Sequence, residues 1–103
     1  MIYEMRVYTL HPGKVPEFEA MIEKEALPHL TRHAKLVGWW SSEVGALNEV
    51  VHLWAFEDLA AREKARKAQG EEPALQDFRP KAQALIQTQR NQLLKPSSFS
   101  PLQ

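Results

Sequence analysis

Two segments in which side-chain character alternates, Ile2–Leu10 (IYEMRVYTL) and Glu49–Phe56 (EVVHLWAF), constrain the fold more than any other feature of the chain. Both are rich in β-branched and aromatic residues, and a period of two sends successive side chains to opposite faces of a sheet. In the first segment one set is Tyr3, Met5, Val7 and Thr9, and the other is Ile2, Glu4, Arg6, Tyr8 and Leu10. His11-Pro12-Gly13 then breaks the strand. From Lys14 to about Arg32 the period changes. Val15, Phe18, Met21, Ile22 and Leu27 recur at three- and four-residue spacing, a helical stripe that Pro28 kinks or ends.

Residues 36–44 (LVGWWSSEV) read as a second strand and Glu49–Phe56 as a third, joined through Gly45-Ala46-Leu47-Asn48, whose end residues tolerate positive φ. Asp58 is the expected N-cap of a helix from Leu59 to about Gln69, with Gly70 its terminator. A further helix starts near Pro73, with Ala74, Leu75 and Phe78 on one side, and Pro80 is expected to split it into two short pieces. Ile86–Leu94 reads as the last strand, and the residues beyond as a loose tail whose Phe99 is available to a partner. The order is βαββαβ, a ferredoxin-like α+β domain: a four-stranded antiparallel sheet with helices on one face. The expected organisation is a domain over residues 1–96 and a tail over 97–103.

Two helical layers can cover only one face of such a sheet. The plainly apolar set, Met5 and Val7 with Val51, Leu53 and Ala55, is assigned to it. The opposite face then holds Glu4, Arg6 and Tyr8 with Val50, His52, Trp54 and Phe56, joined by one of Trp39 and Trp40, which must point opposite ways. Large aromatics bury roughly 150–250 Å² each. Covering three of them at ~25 cal/mol per Å² is worth on the order of 10 kcal/mol gross, less several kcal/mol of association cost. Two-fold pairing of equal faces, a homodimer, is the expected solution; the alternative is that the tail or a helix folds over this face.

Charge narrows the partners. Lys+Arg and Asp+Glu both number 13, for a formal net charge of zero, which argues against nucleic acid and against anionic membrane surfaces. Cysteine is absent, which removes disulfides, thiol catalysis and thiolate-bound metal. No apolar run is long enough to span a bilayer, and no leader pattern opens the sequence, so a cytoplasmic location is expected. GxGxxG, Walker A, GxSxG and HExxH patterns are all missing, and no cofactor is expected.

The strongest chemical constellation is Glu4, Arg6, Tyr8 and His52: a carboxylate, a cation, a phenol and an imidazole on one face of neighbouring strands. Such a set could hold a small polar substrate and move a proton, with Trp40 and Trp54 as apolar walls. The plainer alternative is that Glu4 and Arg6 pair within a dimer interface, with His52 hydrogen-bonded beside them. His29 and His33, with Glu25 four residues before, have the spacing of a divalent-metal site, but Pro28 disturbs that geometry and a solvated helix end is the simpler reading. Trp39, Trp40, Trp54 and Tyr3 could stack on an aromatic ligand or on bases; packing is their ordinary role. Ser41 and Ser42 lack an activating context, and Arg62, Lys64, Arg66 and Lys67 read as a solvated helix face.

Three stretches, YEMRVYTLHPGKVPEFE, WWSSEVGALNEVVHLWAFEDLAAREKAR and QRNQLLKP, together resemble the NIPSNAP family, small proteins of the dimeric α+β barrel superfamily. The hairpin segment, with Gly45, Asn48, His52-Leu53-Trp54 and Arg62, is the most specific part. The resemblance implies a ferredoxin-like dimer with a barrel at the interface. Related branches of the superfamily include cofactor-free monooxygenases, haem-degrading enzymes and small aldehyde- or lactone-processing enzymes, an analogy of fold that does not set function. Two readings follow: a small-molecule binder or cofactor-independent enzyme using a pocket between sheet and helices or inside the dimer barrel, and a non-catalytic dimeric module.

Overall fold

A computed structural model describes all 103 residues. The elements are β1 (Ile2–Leu10), α1 (Val15–Met21), a π-helical turn (Ile22–Ala26), α2 (Leu27–Leu30), β2 (Lys35–Ser41), β3 (Glu49–Phe56), α3 (Leu59–Gly70), α4 (Pro73–Leu85) and β4 (Ile86–Leu94). The strands form one antiparallel sheet in the order β2-β3-β1-β4, the ferredoxin-like arrangement expected from the element order, with the helices on one face.

Local chemistry explains the departures from the expected boundaries. Pro28 has no N–H to continue an α-helical ladder, and the chain answers with a π turn directly before it: the Leu27 N–H bonds to the Ile22 carbonyl, five residues back. Pro80, by contrast, lies inside a continuous α4 rather than dividing it into two pieces. The β2–β3 connection places Gly45 at φ 112° and Asn48 at φ 61°, the positive values their residue types tolerate. The Asn48 side chain also accepts from the Gly13 N–H at 3.0 Å, tying two turns together. Asp58 caps α3 by accepting from the Ala61 N–H at 2.8 Å. The tail is less loose than expected. Tyr3 donates its hydroxyl to the Gln103 carbonyl, and the Gln103 amide donates to the carbonyls of Ser97 and Ser100.

The helices cover the face opposite to the one expected. Leu10 and Val50 are enclosed by Phe18, Ile22, Ala26, Leu75, Phe78, Ala82 and Leu85, while Trp54 and Phe56 pack with Ala34 and Ala65 of α3. Register puts Glu4 opposite Trp54, Arg6 opposite His52 and Tyr8 opposite Val50, so the whole polar set lies beneath the helices. Met5, Val7, Val51, Leu53 and Ala55 line the open face instead. Apolar area decides burial: Leu10, Val50, Trp54, Phe56 and Trp39 present more of it than the smaller set does, and the charged residues among them find partners. The aromatic face expected to need a second copy is therefore covered by the chain's own helices.

Replacing Asp58 by alanine removes the only side-chain cap on α3 and is expected to lower unfolding free energy by about 1 kcal/mol. Urea denaturation measures it, and an unchanged midpoint would show the cap to be dispensable.

Candidate functional site

Glu4, the third residue of β1, has 1% of its surface exposed. A buried carboxylate needs several donors to remain ionised, and Glu4 has them from two strands and a helix. The Arg6 guanidinium is 2.9 Å from Oε2, Arg62 of α3 donates to both oxygens at 3.2 and 3.1 Å, and the Asn91 amide of β4 donates at 2.7 Å. Burial works against ionisation, but these bonds and the two arginine charges outweigh it and hold the Glu4 pKa down at about 2. The same bonds raise the Arg62 pKa. Arg62, read from sequence as part of a solvated face, is thus the ion-pair partner that fastens α3 to the sheet.

Arg6 also donates through Nε to the Tyr8 hydroxyl oxygen at 3.0 Å. Because that oxygen is accepting from Arg6, the hydroxyl proton is free for another acceptor. His52, on the neighbouring strand, is 4% exposed. Its ring stacks on Trp39 at 4.0 Å and 17°, and meets Tyr8 edge-on at 4.8 Å. The Trp54 indole N–H donates to His52 Nδ1 at 2.7 Å. An indole nitrogen can only donate, so Nδ1 is the acceptor and the imidazole proton sits on Nε2. Burial first, then the nearby Arg6 charge, push the His52 pKa down to about 3 against the opposing pull of Glu4. Its Nε2–H is buried and has no hydrogen-bond partner within the protein.

A cavity of about 330 Å³ opens beside this group. Arg6, Tyr8, Trp39 and His52 form its floor. The helix–π–helix segment contributes Phe18, Ile22, Ala26 and Leu30, and the far wall is Arg66 and Gln69 of α3 with Leu75, Phe78, Arg79 and Ala82 of α4. The π turn therefore places Ile22 and Ala26 in the wall. A smaller space of about 70 Å³, bordered by Glu4, Trp54 and Phe56, shares Arg6, Tyr8, His52 and Arg66 with the main one.

The structure thus brings Glu4, Arg6, Tyr8 and His52 together, as their spacing suggested, and sets Trp54 against His52. Trp40 does not join them. It lies on the open face, 54% exposed, with its indole across Gly38, where an added Cβ would come within 2.4 Å of the ring. Trp39 takes the wall position instead, its indole N–H bonded to Glu19 at 3.1 Å. Arg66 was missed because an arginine on an amphipathic helix gives no sequence sign of facing a cavity. His29 and His33 do not converge with Glu25, which pairs with Lys81 at 2.9 Å. They lie 3.4 and 3.3 Å from Glu72, which also binds Arg32 at 3.0 Å. No group of three His, Cys, Asp or Glu side chains has metal-holding geometry.

Fold and site together define a ferredoxin-like α+β protein with a lined cavity between sheet and helices. The chain belongs to the NIPSNAP family, whose model matches residues 3–101. It is 40% identical over 96 residues to human Protein NipSnap homolog 3A, covering 90% of this chain and 38% of that protein. It is 34% identical over 102 residues to Protein NipSnap homolog 1 of Danio rerio, covering 99% of this chain and 36% of that one. The chain therefore spans little more than a third of the length of these relatives. Among solved structures, a NIPSNAP domain protein from Burkholderia xenovorans superposes with a TM-score of 0.94 at 37% identity, over 98% of this chain and 99% of that one. SnoaB, a cofactor-independent oxygenase from Streptomyces nogalater, superposes at 0.69 with 20% identity, over 97% and 96% of the two chains; that likeness shows the shared fold. No helix is long and apolar enough to cross a membrane.

The Glu4 pKa, lowered from 4.5 to about 2, carries a pH signature. The folded state holds this proton less tightly than the unfolded chain does, so the stabilisation is complete above pH 4.5 and is lost as pH falls towards 2. The full loss is on the order of 3 kcal/mol. Glu4→Gln is expected to be less stable at neutral pH and to show a shallower acid slope in denaturation experiments. Parallel slopes for the two proteins would contradict the assignment.

Proposed function

We propose that the chain is a small-molecule-binding NIPSNAP domain whose ligand occupies the cavity between the sheet and the helices. The supporting observation is the buried His52 Nε2–H, which lacks a protein partner, on a side chain that helps line the cavity. Leaving a buried donor unsatisfied costs ~1–3 kcal/mol, a cost that a ligand acceptor would remove. The volume is near the lower end of the ~300–1,000 Å³ usual for small-molecule pockets. Where chemistry follows binding, it is cofactor-independent. Neutral His52, held by Trp54 and Trp39, and Tyr8, held by Arg6, then act as hydrogen-bond donors to an oxygen gaining negative charge. His52 does not serve as a proton carrier near neutral pH, because its imidazole is too weakly basic.

Intrinsic fluorescence of Trp39 tests the binding claim directly, since its ring forms part of the cavity floor. Small ligands are expected to change the emission of the native protein, and the response should weaken at least about tenfold in Ala82→Leu, whose added carbons enter the cavity. A native-like Ala82→Leu that responds as the parent does would remove the ligand from this cavity.

The open face supports the proposed homodimer on different grounds from those first given. Val51, Leu53 and Met5 are half-buried there and Trp40 is exposed, while the helices lie on the other side and the tail reaches this one at Tyr3. Pairing two such faces would bury both Trp40 rings and leave the cavity, on the other side of the sheet, accessible. Leu53→Arg is expected to halve the mass seen by sedimentation without altering ligand response. A native protein sedimenting at 11.8 kDa would eliminate the dimer.

A further inference from the structure

We propose that the cavity selects a small organic acid, an amphiphile with one oxyanion head and a short apolar tail. This rests on the small-molecule reading above and adds to it the sign of the ligand's charge and the placement of its head.

The residues bordering the cavity include Arg6, Arg66 and Arg79 and not one aspartate or glutamate. Arg6 is already neutralised by Glu4 at 2.9 Å. Arg66 and Arg79 have no carboxylate within ion-pairing distance, unlike Arg32 and Arg62. A chain with zero net charge has thus left two cations unpaired around one opening. The neutral groups point to the same ligand. His52 offers a buried Nε2–H, and Tyr8 a hydroxyl proton released by the Arg6 hydrogen bond. Glu4, the one buried carboxylate near the floor, is already bonded to two arginines and Asn91, so a ligand ammonium would find no free counter-charge.

The remaining wall sets the tail. Phe18, Ile22, Leu75 and Phe78 are buried hydrophobic side chains lining the same space. An apolar cavity of ~150 Å³ accommodates a benzene ring, and the 330 Å³ here leaves room for a carboxylate on a ring or on a short aliphatic chain. With the head at Arg66, Tyr8 and His52, the tail runs under α4 and against the π turn. A carboxylate and a small phosphate monoester share this head chemistry, and placing one cation, Arg66, at the head favours the monoanion.

Octanoate, octanol and octylamine share a tail and differ in the head, so calorimetric titration of the native protein with each separates the two claims. Octanoate is expected to bind at least about tenfold more tightly than octanol, with octylamine weakest, in line with the strength of charge-assisted hydrogen bonds. Arg66→Gln, a change at an exposed helix position, should lower octanoate affinity about tenfold and leave octanol unaffected. Octanol or octylamine binding as well as octanoate would overturn the anion assignment and preserve the pocket. A preference for octanoate that survives Arg66→Gln combined with Arg79→Gln would overturn the placement of the head. Failure of all three ligands to bind would overturn both this proposal and the small-molecule reading beneath it. Octyl phosphate, titrated alongside, decides between the two head groups: tighter binding than octanoate would replace the carboxylate with the phosphate monoester and overturn the monoanion preference.

Discussion

The ionised carboxylate of Glu4, buried at the centre of the sheet, is the constraint around which the rest is arranged. A lone buried charge is untenable, so its donors must hold their places: Arg6 on the same strand, Asn91 on β4 and Arg62 on α3. The cluster therefore links an edge strand, a central strand and a helix through one residue. Removing a single partner of such a buried group is strongly destabilising, because the others are left uncompensated. The same geometry turns Arg6 so that its Nε reaches Tyr8 and its charge acts on His52.

What sets the proposed site apart from an internal strut is its unpartnered donors. Every oxygen of Glu4 is engaged, whereas the His52 Nε2–H and the Tyr8 hydroxyl proton have no acceptor within the protein. Trp54 fixes the imidazole tautomer from behind, and Trp39 fixes the plane of the ring by stacking. The polar groups are therefore pre-oriented before any ligand arrives, which reduces the ordering cost of binding. The paired-interface alternative accounts for Glu4 and Arg6 but offers no partner for the His52 Nε2–H or for Arg66.

The element order and the bounds of β1, β3 and β4 were legible because period-two alternation, helical stripes and turn residues are local signals; β2, expected over 36–44, ends at Ser41. The grouping of Glu4, Arg6, Tyr8 and His52 was legible for the same reason, since alternation and pairing require it. The choice of face was not. Polarity alone placed Met5, Val7 and Leu53 under the helices, whereas the bulk of Trp54, Phe56 and Val50 and the pairing of Glu4 with Arg62 reverse that choice. Arg62 lies 58 residues from Glu4 in sequence, and no local pattern reports such a pair. The exchange of Trp40 for Trp39 has the same origin: two adjacent tryptophans must diverge, but only the covered face tells which one lines the cavity. Pro80 was misread because a proline's effect on a helix depends on the packing available to hold the chain straight.

Nitrogen-15 NMR of the His52 ring measures the central claim most directly, since tautomer and charge can both be read from its two nitrogens. The account predicts a neutral ring with its proton on Nε2, unchanged as pH falls through 6.5 and charging only near 3. A proton on Nδ1, or titration at the ordinary histidine value, would contradict the buried donor on which the proposed binding site rests.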